Sequence, residues 1–269
     1  MKRQTTHVAF ILDQSGSMSV TKKDAVIGYN ELIQQAKLNC KEQNIFCSLV
    51  TFNGDVFEHI WCQPASELST ASEEDYLTDG STALKDAIGY TISKLLKTTD
   101  HNDEDTSYLI NVISDGAENA SRHFKDCPAC SHKANNEDCE ECKGTRNKLK
   151  VLLESVQSTK RWTITYMGCD EKYLKQVAKE TSIPISNMAK WDARPGLANG
   201  AMFRQKAALG KYYSARSAGV SPQNCIYSTD SKYSADFTNV TQNVEQNIKV
   251  VKSSGPTPFC NYKPVNWTI

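Results

Sequence analysis

The chain has 269 residues, and its 31 basic residues (Lys and Arg) balance its 31 acidic residues (Asp and Glu). This length is sufficient for one large domain or two small ones, and the balanced charge provides no general attraction to nucleic acid or to a membrane surface. The apolar run near the amino terminus is shorter than a signal-peptide core, and no stretch approaches the roughly 20 apolar residues of a membrane span. We therefore expect a cytoplasmic protein without a membrane partner.

The first predicted strand runs from Val8 to Leu12 without a polar residue and is followed at once by Asp13. A short continuous apolar run is typical of a strand that is buried on both faces of a parallel sheet. Asp13, Ser15 and Ser17 then lie just past the carboxyl end of the strand, where open α/β sheets bind their ligands. One carboxylate and two hydroxyls suit a hard cation such as Mg²⁺. The alternative is an ordinary polar turn.

The following elements alternate between helical and extended patterns. Residues 20–40 have helical spacing with Thr21 as the expected N-cap, and 45–52 predicts a strand. Asn53-Gly54-Asp55 indicates a hairpin that returns through 56–61 as an antiparallel edge strand. Further along, the pattern predicts helices at 83–96, 149–156, 171–178 and 195–218, and strands at 107–114, 161–167 and 183–185. This alternation predicts a doubly wound, mostly parallel α/β sheet with one antiparallel edge strand.

Two more loops carry oxygen side chains: Gly80-Ser81-Thr82 opens a predicted helix, and Asp115-Gly116 follows a predicted buried strand. Together with the D-x-S-x-S sequence at 13–17, they occur in an order that resembles the von Willebrand factor A family, in its stand-alone bacterial and phage form. The metal-ion-dependent adhesion site of that family combines a D-x-S-x-S loop with a distant Thr and a distant Asp. The resemblance covers roughly residues 6–219 and implies a Rossmann-like fold. Ser81 departs from the family pattern, which usually has a second glycine there.

The resemblance implies that Ser15, Ser17 and Thr82 supply hydroxyls to Mg²⁺, Mn²⁺ or Ca²⁺, and that Asp13 and Asp115 bind the ion directly or through water. An ion held in this way keeps much of its charge and one position facing solvent, which accepts a carboxylate from outside. The implied function is metal-dependent binding of another protein through an acidic residue. An AAA+ ATPase or a neighbour in an assembly is the candidate partner.

An enzymatic function is not expected, because catalysis requires a nucleophile or base besides a metal. The chain contains no phosphate-binding P-loop, no G-x-G-x-x-G sequence and no G-x-S-x-G nucleophile elbow. We call residues 13–17 the serine loop. Among the five histidines only His7 is close to it in sequence, and His7 belongs to the far end of the buried strand. His59, His101, His123 and His132 are scattered and expected at the surface. A metal-dependent hydrolase remains the less favoured alternative.

Four of the ten cysteines form two C-x-x-C pairs, Cys127 with Cys130 and Cys139 with Cys142. Two such pairs can close a tetrahedral zinc site, which would fold an insertion (117–146) that is too polar to have a core of its own. The alternatives are two local disulfides or four free thiols, and we favour zinc because the sequence indicates no secretory signal.

The position of this insertion matters more for function than its chemistry. It follows Asp115 closely, so we expect it to rise from the same rim as the metal residues and to form part of the partner-binding face. Its charge is about balanced and Phe124 is its only aromatic residue. Nucleic-acid binding, known for some zinc knuckles, is therefore not expected.

We divide the chain into a domain at 1–219, including the insertion, and a C-terminal extension at 220–269. The extension is rich in Ser, Thr, Asn and Gln with few apolar anchors, so we expect it to be partly extended and to order on a partner. An alternative function follows, in which the chain is a structural component of a larger assembly. If that assembly is a phage virion, the protein would reside in the virion or the host cytoplasm.

Overall fold

The computed structural model describes residues 3–116, 118–124, 147–190, 199–217 and 257–267, with only the backbone path given for 199–205. The strands are β1 Thr5–Asp13, β2 Asn44–Phe52, β3 Val56–Pro64, β4 Thr106–Ile113, β5 Trp162–Gly168 and β6 Met188–Lys190. The α-helices are α1 Lys22–Asn39, α2 Leu84–Thr98, α3 Lys148–Ser158, α4 Glu171–Thr181 and α5 Asn199–Ser217. None of these helices is long and apolar enough to cross a membrane.

The six strands form one sheet in the order β3-β2-β1-β4-β5-β6. Only β2 and β3 pair antiparallel, and all the other neighbours are parallel. This confirms the predicted α/β fold with one antiparallel edge strand. The chain passes from β1 to β2 on one side and reaches β4 on the other, so the strand order reverses between β1 and β4. Open α/β sheets leave a ligand-binding crevice at such a reversal.

The central strand β1 is buried on both faces, which explains its unbroken apolar sequence. Val8, Phe10 and Leu12 belong to the core beneath α1 and α5. Ala9 and Ile11 point the other way, into the core beneath α2, α3 and α4. Successive side chains of a strand alternate between its faces, so a strand covered by helices on both sides has apolar residues at every position.

The last strand lies later in the chain than the predicted 183–185. Ile185–Asn187 forms a 3-10 turn instead, and the strand is Met188–Lys190. The turn follows Ser182, which takes a left-handed conformation (φ 57°) at the end of α4, and Pro184, which has no N–H to donate to a strand ladder. Pairing with β5 therefore begins only at Met188.

Helix α1 starts next to the predicted N-cap, but the cap itself is absent. The side chain of Thr21 accepts no hydrogen bond from the helix. Its hydroxyl instead reaches back toward the carbonyl oxygen of Met18, at 3.5 Å. At the other end of the domain, α5 agrees with the predicted final helix over Asn199–Ser217, and the predicted first turn at 195–198 lies outside the described residues.

Residues 257–267, which we call the C-terminal strap, lie across the edge strand β3. Pro264 forms an isolated antiparallel bridge with Phe57, and the Val265 N–H donates to the carbonyl oxygen of Val56 at 2.9 Å. This part of the extension is therefore ordered on its own domain, contrary to the expectation that it needs a partner. The rest of the predicted extension, 220–256, lies outside the described residues.

Candidate metal centre

Asp13 ends β1 with a fully buried carboxylate. One of its oxygens accepts the backbone N–H of Ser15 at 2.7 Å, and the other accepts the hydroxyl of Ser114 at 2.5 Å. Burial raises the pKa of Asp13 to about 6, because these hydrogen bonds compensate only part of the lost hydration. The carboxylate is thus held in a fixed orientation at the carboxyl end of the two central strands.

The predicted metal residues converge on one point between the ends of β1 and β4. The Ser17 hydroxyl donates to Asp115 Oδ1 at 2.7 Å and lies 3.1 Å from the Ser15 hydroxyl. Thr82 reaches the same place: a Cβ added to Gly116 would lie 3.5 Å from Thr82 Oγ1 and 3.6 Å from Ser17 Oγ. The bare Gly116 therefore leaves open a cradle that is lined by both hydroxyls. Burial also raises the pKa of Asp115.

The loop that carries Thr82 is fastened to the serine loop through its backbone. The carbonyl oxygen of Gly80 accepts the Gly16 N–H at 3.0 Å, and the backbone carbonyl oxygen of Gln14 accepts the Asp79 N–H at 2.8 Å. Gly80 has a φ of +75°, the left-handed region that only glycine adopts readily. These two bonds set the distance between the loops, which are far apart in sequence.

Ser81, the departure from the family pattern, packs against the β2–β3 hairpin. A Cβ added to Gly54 would lie 2.9 Å from the Ser81 hydroxyl. The extra side chain therefore occupies space beside the hairpin.

Thr82 is also held by residues 118–124, which we call the root of the cysteine insertion. Its N–H donates to Asn119 Oδ1 at 2.8 Å, and its carbonyl oxygen accepts the N–H groups of Asn119 and Ala120 at 3.0 Å each. The Glu118 carboxylate accepts the Lys85 N–H at 2.8 Å, which satisfies a free donor at the start of α2 and places a negative charge at that positive helix end. The root of the insertion therefore lies beside the metal residues.

Asp86 fixes the next residues of this root and was not singled out from the sequence. Its carboxylate accepts the N–H groups of Arg122, His123 and Phe124 at 2.7–2.9 Å. The Phe124 ring then lies on Gly89 of α2, where a Cβ would come within 2.2 Å of it. The sequence gives no local sign of this role, because an acid in the first turn of a helix is common. The cysteines of the predicted zinc site lie outside the described residues.

Tyr76 is another residue that sequence reasoning missed. It belongs to the turn-rich stretch before Asp79, it is completely buried, and its hydroxyl donates to the carbonyl oxygen of Asp13. Nothing in the local pattern distinguishes this tyrosine from an ordinary apolar anchor.

The donors gathered here are hydroxyl and carboxylate oxygens, which fit a hard divalent cation. His7 and His59 do not join them. His7 lies at the opposite end of β1, and His59 lies on β3, where it accepts the Asn261 N–H of the strap at 3.2 Å. The prediction that His59 is a surface residue was therefore wrong in part: the ring is partly buried, and burial lowers its pKa to about 4.

Comparison with known proteins gives one match to a family model, that of the von Willebrand factor type A domain, over residues 7–191. No curated protein matches the chain significantly. Among solved structures the chain is similar to the vWF domain of the type V pili tip protein Mfa5 from Porphyromonas gingivalis. The identity is 9% over 82% of this chain and 97% of that one, with a TM-score of 0.54.

Two further similarities are more distant in structure. They are to a von Willebrand factor type A protein from Catenulispora acidiphila (14% identity, 80% of this chain and 42% of that one, TM-score 0.46) and to proximal thread matrix protein 1 from the mussel byssus, a structure with a zinc occupied MIDAS motif (15% identity, 77% and 46%, TM-score 0.44). The chain thus spans less than half the length of these two proteins. At such identities, structural likeness bears on the fold alone.

Proposed function

The chain belongs to the von Willebrand factor type A family, and on that premise we propose that it captures another protein through a divalent cation. Domains of this family are commonly metal-dependent modules for protein interaction. The cation would be held by Asp13, Ser15, Ser17, Thr82 and Asp115. The observation that carries the proposal is the convergence of these side chains, from three separate loops, around the cradle at Gly116.

The chemistry of the donors indicates how the site would act. The hydroxyls of Ser15, Ser17 and Thr82 are neutral, so they orient a cation without cancelling its charge. The two carboxylates already have hydrogen-bond donors, Ser15 and Ser114 for Asp13 and Ser17 for Asp115. When bound, Mg²⁺, or Mn²⁺ or Ca²⁺ in its place, supplies an electrophilic position that accepts an outside carboxylate. We infer that this carboxylate is an Asp or Glu of the partner protein, and that the protein is not an enzyme.

Metal binding is tested first, with Mn²⁺ as the probe and the signal of free Mn²⁺ in electron paramagnetic resonance as the readout. We expect Asp13→Ala and Thr82→Ala to weaken Mn²⁺ binding by about tenfold or more, since each removes an oxygen that no neighbour replaces. Ser81→Ala is the matched control: it removes an adjacent hydroxyl that lies against the hairpin. Equal affinities in all three variants and the wild type would contradict the proposed site.

Partner capture is tested with the immobilised chain in native lysate. A specific partner should bind in Mg²⁺, be released by EDTA and fail to bind Asp13→Ala, while Ser81→Ala retains it. Replacement of the partner's contacting acid by its amide should abolish capture. A partner that binds equally with and without EDTA would contradict the metal-dependent mechanism. AAA+ ATPases are the first class to examine among the captured proteins.

We also propose that Cys127, Cys130, Cys139 and Cys142 bind zinc and that the insertion contributes to the partner-binding face. The support is the position of its root, which is bonded directly to Thr82. Elemental analysis of the purified chain should find about one zinc ion per chain, and Cys127→Ser should lose the zinc and weaken partner capture while the sheet stays folded. A zinc-free wild type, or unchanged capture, would contradict this part of the proposal.

A role as a structural component of a larger assembly, such as a phage virion, has less support. That role was expected to use the C-terminal extension along neighbouring subunits. The strap, at 257–267, lies instead on its own domain. Truncation after Gly219 should abolish incorporation of an assembly component, whereas a metal-dependent binder should lose only the metal affinity that the strap contributes.

A further inference from the structure

The C-terminal strap carries a buried anchor close to the candidate metal centre. Phe259 is only 2% exposed although the residues that follow it lie at the surface. Its ring lies 5.5 Å from that of Tyr76, 5.6 Å from that of His59 and 5.8 Å from that of Tyr29, measured between centroids. Phe259 thus fills an aromatic pocket formed by the strand β3, the helix α1 and the turn-rich loop at 71–79.

Tyr76 connects this pocket to the serine loop. Its ring is completely buried against Phe259, and its hydroxyl donates to the carbonyl oxygen of Asp13. That carbonyl belongs to the peptide group that joins Asp13 to Gln14, where the metal-binding loop begins. A single side chain therefore separates the strap from the backbone of the proposed metal site.

A second residue of the strap holds the same loop. The Tyr262 hydroxyl donates to the carbonyl oxygen of Asp75 at 2.6 Å. The Asp75 carboxylate in turn accepts the N–H and the hydroxyl of Ser72, at 3.0 and 2.8 Å. The far end of the loop is bonded to the serine loop through the Asp79 N–H, which donates to Gln14 at 2.8 Å. The loop at 71–79 is thus fixed between the strap on one side and the metal residues on the other.

The opposite end of the strap provides an internal comparison. Trp267 stacks on the His123 ring with 3.8 Å between centroids and meets the Tyr90 ring edge-on at 5.7 Å. It therefore fastens the strap with an aromatic side chain of similar size, but to the root of the insertion and to α2. Its ring contacts are with His123, Tyr90 and Phe124, none of which belongs to the loop at 71–79.

From these contacts we propose that docking of the strap and binding of the cation favour each other. Phe259 and Tyr262 hold Tyr76 beneath Asp13, and Tyr76 in turn supports the backbone of the metal-binding loop. The inference rests on the proposed function, because it requires a cation at these residues. Coupling between two sites is reciprocal, so the strap must raise the affinity for the cation by the same factor as the cation stabilises the docked strap.

The first arm of the test measures Mn²⁺ affinity. Phe259→Ala empties the pocket beside Tyr76, and Tyr76→Phe keeps the packing but removes the hydrogen bond to Asp13. Each should weaken Mn²⁺ binding by about fivefold or more, the lower range of typical coupling between sites. Trp267→Ala should stay within about twofold of the wild type, since coupling below that factor is smaller than usual for linked sites. Tyr76→Phe keeps the test decisive if Phe259→Ala fails to fold.

The second arm uses the wild type alone and measures hydrogen exchange of the strap by mass spectrometry. Saturating Mg²⁺ should slow exchange in the peptide that contains the hydrogen-bonded amides of Asn261 and Val265. Two results would overturn this inference if the wild type binds Mn²⁺: unchanged affinity in Phe259→Ala and Tyr76→Phe, or hydrogen exchange of the strap that does not respond to Mg²⁺. Either result would leave the proposed function standing. A wild type that binds no Mn²⁺ would overturn both.

Discussion

Each end of β1 carries an ionisable side chain with a shifted pKa: the fully buried Asp13 at the carboxyl end and the partly buried His7 at the amino end. At the carboxyl end, Asp13 is surrounded by donors from Ser15 and Ser114, and burial raises its pKa to about 6. At the amino end, His7 lies between aromatic rings, and burial lowers its pKa to about 4. Burial favours the neutral form in both cases. Asp13 accepts two hydrogen bonds that orient its charge, whereas the polar neighbour of the His7 ring is the weak donor Cys62 Sγ, 3.7 Å from Nδ1.

The amino end is built as a packing layer. Phe46, His7, Tyr108 and Trp162 are cross-strand neighbours on β2, β1, β4 and β5. Their rings stack in one row, with centroid distances of 5.5, 5.5 and 3.9 Å. Cross-strand aromatic pairs of this kind stabilise a sheet. The comparison teaches that one strand serves both purposes: its amino end stabilises the sheet, and its carboxyl end carries a buried carboxylate that costs stability and belongs to the proposed cation site.

The largest effect on stability is expected at the amino end. Trp162→Ala should lower the free energy of unfolding by about 3–5 kcal/mol, because it removes a fully buried ring from the row and leaves a cavity. The Mn²⁺ affinity of the molecules that remain folded should not change. Urea unfolding and Mn²⁺ titration at low temperature measure the two quantities. A loss of affinity in this variant would mean that the two ends of β1 are not independent.

A smaller effect of opposite sign is expected at the carboxyl end. Asp13→Asn should raise the stability of the metal-free protein at pH 7 by about 2 kcal/mol, because the ionised Asp13 is destabilised by burial. The amide can still accept the Ser15 N–H and can donate to the Ser114 hydroxyl. Mn²⁺ binding should be lost in the same variant. Unfolding in EDTA measures the gain, and a less stable variant would show that the charge of Asp13 is not costly to the fold.

The same gain has a pH signature that serves as its control. Between pH 6 and the ordinary value of 3.8, folded Asp13 takes up a proton more readily than the unfolded chain, so its contribution to stability rises as the pH falls. The advantage of Asp13→Asn over the wild type should therefore disappear near pH 4. An advantage that persists at this pH would have to arise from packing and not from charge.

The smallest effect concerns His7 and has the reverse pH dependence. Its pKa falls from the ordinary 6.5 to about 4, so the unfolded chain binds the proton more tightly and stability is lost as the pH drops from 6.5 toward 4. His7→Phe keeps a ring in the row and removes this titration. Between pH 7 and 4.5, the free energy of unfolding of the variant should fall by about 1 kcal/mol less than that of the wild type. This figure is discounted because the His7 ring is partly exposed. If urea unfolding shows the same loss of stability for both proteins between pH 7 and 4.5, the lowered pKa of His7 is contradicted.

Much of the candidate metal site follows from short stretches of sequence. The apolar run that ends at Asp13 fixes a buried strand and the rim at which it ends, and the motifs at 13–17, 80–82 and 115–116 each lie next to a predicted element. Parallel strands bring such loops to one edge of a sheet, so the convergence of the five side chains was predictable. The short strand β6 was misplaced, because an X-Pro turn and a weak strand have similar local patterns.

The sequence by itself determined the α/β fold, the burial of β1 and the identity of the candidate metal residues. Only the tertiary structure revealed that Tyr76 supports Asp13, that Asp86 and Glu118 hold the root of the insertion, and that Phe259 anchors the strap in the core. The physical reason is the distance in sequence over which the interactions act. Periodicity reflects contacts between residues that are near in sequence, and motif order reflects positions that a parallel sheet brings together. A hydrogen bond or ring contact between segments up to 180 or more residues apart, such as Phe259 with Tyr76, leaves no periodic trace and depends on how the whole chain packs.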